Sequence, residues 1–387
     1  MKLLIFLIKW GFPVLLITDL SSELLDNELL LNISRILRIS ILALIVKENI
    51  RLYKIIKHFY FFKYFLLFLL VLFLYLYTDR NTIEGFWIFS KMLFWILGIN
   101  VLYAYGYLNL FRLNDFKKVI EKVVFLSFIL TIIFYQSGSM ETNYNVASYL
   151  ILFMYPILLY TSEGYKKNKF FILLSAFAIL ITLKRGAMIG FFVGNLIYIL
   201  VGLMYKFNFK KLVTSSVIFS FMIFSGLYIY QIQENSREQR FSQDQFDVNN
   251  ESAGSGRVGM YTRLYEEWFE SDNRIFGFGN QEDSYRNIGR RTHAHSDIFG
   301  FLYNHGIVGI TLIMILYIKI LKFYFYCRNY DKQNLAIMLS FLLILILVNF
   351  YSGMLRSQDA IYFFALLPYL QLKRDAIRKS AYINQSA

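Results

Sequence analysis

The feature that most constrains this chain is a series of apolar runs close to the length that crosses a lipid bilayer. About 17 to 25 mostly apolar residues span the hydrocarbon core as one helix. Such runs lie near residues 4–20, 29–46, 60–77, 86–105, 119–135, 146–160, 170–183, 188–205, 212–232, 298–318, 335–351 and 361–372. The second run contains Arg35 and Arg38, and the last is short. We therefore expect about twelve membrane-spanning helices, or eleven if one of these two runs does not cross.

The composition points to the same class. The sequence is 57% apolar or aromatic and only 17% charged, whereas a soluble domain is about a quarter charged. These values exclude an ordinary soluble enzyme and a disordered chain, and the single Cys327 excludes a disulfide-stapled secreted domain. The predicted fold class is an all-α polytopic integral membrane protein. Because the first run has no small-residue cleavage site, we expect it to remain as the first helix.

The basic residues follow the expected topology of a membrane protein. The formal charge is +14, and lysine and arginine collect in cytoplasmic loops. Here they collect in alternate loops, at 47–57, 112–118, 166–169, 206–211, 319–328 and 373–379. The intervening loops 19–28 and 136–145 contain neither residue type. The alternation predicts that both termini face the cytoplasm, and it makes nucleic acid an unlikely partner for the basic excess.

One long hydrophilic segment is expected on the outer side, between the ninth and tenth runs. The predicted division of the chain is helices 1–9 in 1–232, this outer loop in 233–297, and helices 10–12 with the tail in 298–387. Within the loop, apolar and aromatic residues recur at helical spacing over Gly259–Glu270. This spacing predicts an amphipathic helix that lies at the membrane surface.

Several basic residues lie on the outer side, against the usual topological bias. Lys184 and Arg185 occupy the short turn after the seventh run. The outer loop contains arginines and no lysine, at Arg237, Arg240, Arg257, Arg263, Arg274, Arg286, Arg290 and Arg291. The planar guanidinium binds phosphate or carboxylate oxygens with two parallel hydrogen bonds, so this set suits a diphosphate at headgroup level. Pairing with the acids of the loop is the alternative explanation.

Two of these arginines are the best candidates for a binding role. Arg185 lies between two apolar runs and has no acidic residue nearby in the sequence. Arg257 lies in Gly254-Ser-Gly-Arg, directly before the predicted surface helix. Glycines let the backbone approach a ligand closely, and a helix N-terminus offers unpaired N–H groups to an anion.

Histidine supplies a candidate general base. His293 and His295 follow Arg290 and Arg291, just before the tenth run. Imidazole changes its charge near neutral pH, and nearby positive charges favour the neutral form that a base requires. A zinc site is the rival reading, but His-x-His without further ligands is a weak metal signal. A capping or pairing role for the histidines is the other alternative.

Three motifs in order resemble the superfamily of O-antigen ligases and Wzy-type polysaccharide polymerases. They are Leu183-Lys-Arg-Gly-Ala; then Ser255-Gly-Arg with Trp268 and Ile275-Phe-Gly-Phe-Gly; then Ala294-His-Ser-Asp followed by Asn304-His-Gly-Ile-Val-Gly. The resemblance is specific over 184–309. It implies a GT-C-like helical fold, and transfer of a glycan from undecaprenyl diphosphate to an acceptor at the outer face of the bacterial inner membrane, without metal or cofactor.

The resemblance also implies roles for individual residues. Arg185 and Arg257 correspond to the arginines that bind the diphosphate, and His295 to the proposed base. Residues expected to support them are Lys184, Arg263, Arg290, Arg291, His293 and Asp297. The implied partners are a lipid-linked donor and acceptor, the bilayer, and possible chain-length regulator and flippase proteins.

Three functions are compatible with these observations. The first choice is a polymerase that joins oligosaccharide repeat units into O-antigen, capsule or exopolysaccharide. The second is a ligase that transfers finished polymer to a lipid A core or a protein, and the motifs do not separate the two. A transporter or flippase is the alternative from another class, supported by Lys91, Asn100, Glu121 and Lys122 in or near the runs. A transporter does not need a long outer loop with an Arg–His cluster.

Overall fold

The computed structural model is helical throughout the part of the chain that it describes. It describes residues 1–25, 28–76, 82–136, 144–160, 169–182, 184–205, 253–279, 282–285, 296–327 and 332–386. No β-strand occurs within these ranges. The predicted all-α class is therefore confirmed for the described residues.

The first run forms α1 (Lys2–Phe6), a π-helical turn (Leu7–Gly11) and α2 (Phe12–Leu25). The π-helical turn ends two residues before Pro13, which has no N–H to continue regular α-helical hydrogen bonding. The following helices are α3 (Glu28–Arg51), α4 (Tyr53–Ile56), α5 (Phe62–Tyr75), α6 (Thr82–Tyr107), α7 (Leu113–Gln136), α8 (Tyr144–Tyr160), α9 (Lys169–Ile181), α10 (Arg185–Tyr205), α11 (Ala253–Glu270), α12 (Glu282–Tyr285), α13 (Asp297–Cys327), α14 (Lys332–Tyr351), α15 (Ala360–Phe364) and α16 (Leu366–Ser386).

These helices coincide with every predicted apolar run except 212–232, which lies outside the described residues. Three of the described helices are long and apolar enough to cross a membrane, at Glu28–Arg51, Gly85–Tyr107 and Asp297–Cys327. Five further apolar helices are shorter, with 10–17 residues. The number of spans and the division of the chain into domains remain predictions.

The outward surface of α5 indicates that this helix faces lipid rather than water. Beyond Lys63 in its first turn, its exposed residues are all apolar, with Leu66, Leu67, Leu70, Phe73 and Leu74 at helical spacing. The opposite side of the helix packs in the main core. A helix that is apolar on all sides over most of its length, with one side exposed, is typical of a membrane span. A soluble monomer rarely exposes so continuous an apolar face.

Segments that the charge pattern assigns to the cytoplasm meet at one end of the structure. Lys54, Tyr326 and Asp375 come from three such segments, and with Tyr107, at the end of α6 before a fourth, they line one cavity of about 420 Å³. The amino group of Met1 lies at the same end, because it forms an ion pair with Glu48 at 3.1 Å. The N-terminus and the residues around Asp375 therefore lie at the end that carries the predicted cytoplasmic loops.

At the opposite end, α13 is broken at Gly306, and the segment from Arg274 to Gly279 packs into the break. Gly306 has φ 62° and ψ −149°, a conformation that favours glycine. Four backbone hydrogen bonds fill the break, from Phe278 N to Tyr303 O (3.1 Å), Gly279 N to Asn304 O (2.9 Å), Ile307 N to Arg274 O (3.0 Å) and Val308 N to Ile275 O (3.2 Å). The break thus anchors part of the predicted outer loop to α13, a candidate membrane span.

Candidate functional site

The candidate site is built around the C-terminal end of α14. The last carbonyl groups of a helix have no intrahelical donors and carry partial negative charge. Two of them accept side-chain hydrogen bonds from other segments. Arg257 donates from Nη1 to the Tyr351 carbonyl at 3.2 Å, and Ser296 donates from Oγ to the Asn349 carbonyl at 2.9 Å.

Arg257 is half-buried and lies in the second turn of α11. The expectation that it directly precedes the surface helix is wrong, because α11 begins at Ala253 rather than at Gly259. A glycine costs only about 1 kcal/mol in a helix. Apolar contacts of Met260 and Leu264 with Tyr303 of α13 offset this cost and let the helix extend through the glycine-rich segment.

Arg185 is the first residue of α10, and Lys184 precedes it. The Lys184 carbonyl accepts the first hydrogen bond of the helix, from Met188 N at 2.9 Å. The Arg185 side chain lies outside the described part of the chain. The contacts of the next residue, Gly186, are described. Gly186 packs against Tyr149 and Tyr351, and a Cβ atom on it would lie 2.9 Å from the Tyr351 Cβ. The start of α10 therefore touches the end of α14.

The last residues of the motif Ala294-His-Ser-Asp are described, and Ser296 among them contacts the end of α14. Four candidate residues lie outside the described part of the chain, namely Arg290, Arg291, His293 and His295. Ser296 directly follows His295, and its hydroxyl is bonded to Asn349 of α14. It also caps α13 by accepting from Phe299 N at 3.3 Å. The backbone at Arg185, the Arg257 side chain and the residue after His295 therefore all meet the last turn of α14.

Asp297 has a structural partner that the sequence analysis missed. Arg356, in the turn after α14, lies with its Nε 3.5 Å from Oδ1 of Asp297 and donates from Nη1 to Asp283 at 2.8 Å. Its Nη2 also donates to the Ser296 carbonyl at 3.1 Å. All three charged side chains are buried. The burial of Arg356 by itself lowers its pKa, but Asp283 and Asp297 outweigh that effect and raise the pKa above its usual value.

The same network fixes the outer segment that contains α12. Asn304 donates to Asp283 Oδ1 at 2.9 Å and accepts from the Asp283 backbone N–H at 3.0 Å. Gly300 leaves room for the guanidinium, because a Cβ atom there would lie 2.6 Å from Nη2 of Arg356. The positive-inside argument applied to the turn 352–359 would have identified Arg356, since it too lies opposite the basic loops.

The remaining candidates lie away from the end of α14 or pack in the core. Arg263 is exposed and donates to the Gly259 carbonyl of its own helix at 3.2 Å. His305 is buried and meets the Tyr75 ring edge-on at 4.6 Å, as expected for a packed histidine. Within the described ranges, no three His, Cys, Asp or Glu residues are grouped as a metal site would require.

Tyrosines complete the surroundings of Arg257. The Tyr149 hydroxyl donates at 3.4 Å to the Tyr351 carbonyl, which also accepts from the Arg257 guanidinium. Tyr261 stacks on Phe299 with ring centroids 4.4 Å apart. Burial raises the pKa of Tyr261 to about 12, although Arg257 opposes the shift. Tyr261 is therefore a neutral phenol beside a positive charge.

This arrangement defines a class, namely an all-helical membrane protein that holds cationic residues at the end opposite its basic loops. The comparison with known families is more specific. Residues 170–314 match the family model of the O-antigen ligase domain, Wzy_C, which confirms the resemblance over this part of the chain. Proteins of this kind are membrane enzymes of the ligase or polymerase type. No curated protein matches the chain.

Proposed function

We propose that this protein is a membrane glycosyltransferase that polymerises oligosaccharide repeat units linked to undecaprenyl diphosphate. The product is O-antigen, capsular polysaccharide or exopolysaccharide, made at the outer face of the bacterial inner membrane. The observation that carries the proposal is the meeting of three motif positions at the last turn of α14. They are the backbone of Arg185–Gly186, the Arg257 side chain and the Ser296 side chain that follows His295.

The reaction needs positive charge where the leaving group departs. The bond between the anomeric carbon and a diphosphate oxygen breaks, and a hydroxyl oxygen of the acceptor sugar bonds to that carbon. Negative charge then develops on the diphosphate, and guanidinium groups fixed beforehand stabilise it. We assign this role to Arg185 and Arg257. His295 accepts the proton of the attacking hydroxyl as general base.

The contacts of Arg257 suit this role. Its side chain donates to the neutral carbonyl of Tyr351, which the neutral hydroxyl of Tyr149 also contacts. Among the described residues no carboxylate forms an ion pair with it. A guanidinium has five N–H donors in a fixed fork, so most of its capacity is available for phosphate oxygens.

The contacts of charged residues near the helices give less support to a transporter. Glu121 forms an ion pair with Lys117 one turn away, at 3.3 Å. The ammonium group of Lys122 lies 3.4 Å from the centre of the Trp10 ring. These two charged residues therefore have partners of their own within the described residues, close to the predicted cytoplasmic loops.

Replacement of the three principal residues tests the proposal. Arg185→Ala, Arg257→Ala and His295→Ala should each abolish polymer, while single repeat units linked to lipid accumulate. Arg263→Ala is a matched control, because this exposed arginine lies in the same helix as Arg257 and bonds to its own backbone. Full-length polymer in all three variants would refute the site. A flippase, by contrast, should still move its substrate across the membrane after Arg257→Ala.

Deletion of the gene for this protein separates polymerase from ligase. Deletion of a polymerase gene removes the ladder of polymer lengths and leaves single repeats attached at the surface. Deletion of a ligase gene leaves full-length polymer on undecaprenyl diphosphate and removes its attachment to a lipid A core or protein. Gel electrophoresis of surface and lipid-linked glycans distinguishes the two results. The proposed topology, with both termini in the cytoplasm, can be tested in parallel by reporter fusions.

A further inference from the structure

We infer that the Tyr149 hydroxyl is a third donor to the diphosphate of the lipid-linked substrate, beside Arg185 and Arg257. This inference rests on the proposed function and adds a substrate-binding residue to it. Tyr149 lies in α8, outside all three motifs of the sequence and outside the residues matched by the family model. Nothing in its sequence context distinguishes it from the other 29 of the 30 tyrosines.

The first observation is that one carbonyl oxygen serves two donors. The Tyr351 carbonyl accepts from Tyr149 Oη at 3.4 Å and from Arg257 Nη1 at 3.2 Å. Good hydrogen bonds are about 2.7–2.8 Å long for hydroxyl donors and about 2.9–3.0 Å for N–H donors. Both bonds are longer than these values, so neither donor is well satisfied. The Tyr149 side chain is nonetheless buried, with only 7% of the residue exposed.

The second observation is that the hydroxyl touches the start of α10. A Cβ atom on Gly186 would collide with Tyr149 Oη, so the glycine that follows Arg185 leaves the space that the hydroxyl occupies. The first intrahelical hydrogen bond of α10 is donated by Met188. The N–H groups of the three residues before it, 185–187, have no acceptor within the helix. A phenol, a guanidinium and the positive end of a helix dipole therefore lie together.

An anion is the ligand that satisfies all of these groups. A phosphate oxygen carries negative charge and is a stronger hydrogen-bond acceptor than a backbone carbonyl. The Tyr149 hydroxyl can rotate its single O–H from the carbonyl to such an oxygen. A diphosphate offers several oxygens and can bond to both arginines and the phenol at the same time.

Tyr155, a second tyrosine of α8, has a hydroxyl with a purely structural role. Tyr155 is fully buried, and its hydroxyl donates to the side-chain amide oxygen of Asn195. The Asn195 amide nitrogen is in turn bonded to the Phe191 carbonyl at 2.8 Å. The Tyr155 hydroxyl thus has its own side-chain acceptor in a closed network. Tyr155→Phe is therefore the matched control for Tyr149→Phe.

The test measures binding of undecaprenyl diphosphate to the full-length protein in lipid nanodiscs, by native mass spectrometry. Tyr149→Phe keeps the ring and removes only the hydroxyl. We expect it to raise Kd about tenfold, and to raise KM for the lipid-linked repeat unit more than it lowers kcat. Tyr155→Phe should leave Kd within about twofold. Undecaprenol, which lacks phosphate, should bind equally to all variants.

The possible failures are distinguishable. If Tyr149→Phe binds undecaprenyl diphosphate like the wild type while Arg257→Ala loses binding, the inference about Tyr149 is wrong and the proposed site remains. If Arg257→Ala also binds like the wild type, the proposed diphosphate site is wrong as well. Equal weakening by Tyr149→Phe and Tyr155→Phe would mean that loss of any buried hydroxyl in α8 disturbs the helix, which also overturns the inference.

Discussion

Two arginines at the same end of the molecule have opposite surroundings. Arg356 is buried and contacts two buried carboxylates, with Asp283 at 2.8 Å and Asp297 at 3.5 Å. Arg257 is half-buried, and it donates to a neutral carbonyl that a phenol also contacts. Both residues adjoin the end of α14 and the turn that follows it. The charge of Arg356 is thus neutralised by the protein, whereas that of Arg257 is available to a ligand.

The comparison separates a residue that holds the fold together from one that we propose binds substrate. Arg356 joins the outer segment at Asp283, the start of α13 at Asp297 and the backbone at Ser296. A buried ion pair of this kind adds little net stability, but removal of one partner is costly because a buried charge is left unpaired. Loss of Arg356 should therefore affect stability, and loss of Arg257 should affect activity.

The largest effect is expected for Arg356→Ala. The change leaves two buried carboxylates without their counter-ion and should destabilise the protein by about 3–5 kcal/mol. The thermal midpoint in detergent and the folded yield from membranes would show the loss. The triple variant Arg356→Leu with Asp283→Asn and Asp297→Asn removes all three charges and should recover part of it. If Arg356→Ala had the same thermal midpoint as the wild type, the structural role of Arg356 would be contradicted.

The second-largest effect is expected for Arg257→Ala, which should lower turnover and leave stability nearly unchanged. Removal of one preorganised donor to developing charge lowers kcat by about 10²–10³-fold in other enzymes. Because Arg257 is half-buried and has no carboxylate partner among the described residues, stability should change by no more than about 0.5 kcal/mol. Turnover of lipid-linked repeat units in vesicles, together with the thermal midpoint, gives both quantities. If stability falls as far as in Arg356→Ala, the contrast between the two arginines disappears.

A smaller effect is expected where the outer loop enters the break in α13. Gly277 has φ +72°, and a Cβ atom there would lie 2.5 Å from the backbone of Asn304. Gly277→Ala should cost about 1–3 kcal/mol and release the loop from α13. Faster amide hydrogen exchange at Ile307 and Val308 would report it. The control is Gly353→Ala, whose added Cβ would meet only ordinary contacts of 3.6 Å or more.

The smallest effect is expected for Arg263→Ala. The side chain is exposed and bonded to the Gly259 carbonyl of its own helix, so stability should stay within about 0.5 kcal/mol. Polymer length and yield should match the wild type on gels. A loss of polymer comparable to that of Arg257→Ala would show that the site extends along the exposed face of α11. The hydrogen-bond and ion-pair partners of an arginine would then not be enough to tell which arginine affects activity.

The sequence predicted most helices well, because apolar length and helical spacing are local properties. The start of α11 was wrong for a reason that no local pattern contains. Gly254 and Gly256 disfavour a helix by themselves, and contacts of Met260 and Leu264 with α13 outweigh them. The break at Gly306 was also missed, because Asn304-His-Gly lies within a long apolar run and reads as one helix.

The roles of the candidate site residues stay predictions. The charge pattern singled out Arg185 and Arg257 by their predicted side of the membrane, and the structure brings the backbone next to Arg185 and the Arg257 side chain to one helix end. The His295 side chain stays a prediction. Tyr149 gave no signal, because a tyrosine in an apolar run usually packs, and only its contacts with Gly186 and Tyr351 set it apart.

By itself the sequence determined which segments are helical and lipid-compatible, and it predicted which basic residues lie opposite the cytoplasmic loops. Hydropathy and charge act over one turn or one loop, so they can be read from neighbouring residues. Only the tertiary structure decided which arginine is neutralised and which remains available. Asp283 lies 73 residues from Arg356 along the chain and Tyr351 lies 94 residues from Arg257. Whether a charge meets a carboxylate or a carbonyl depends on how those distant segments pack.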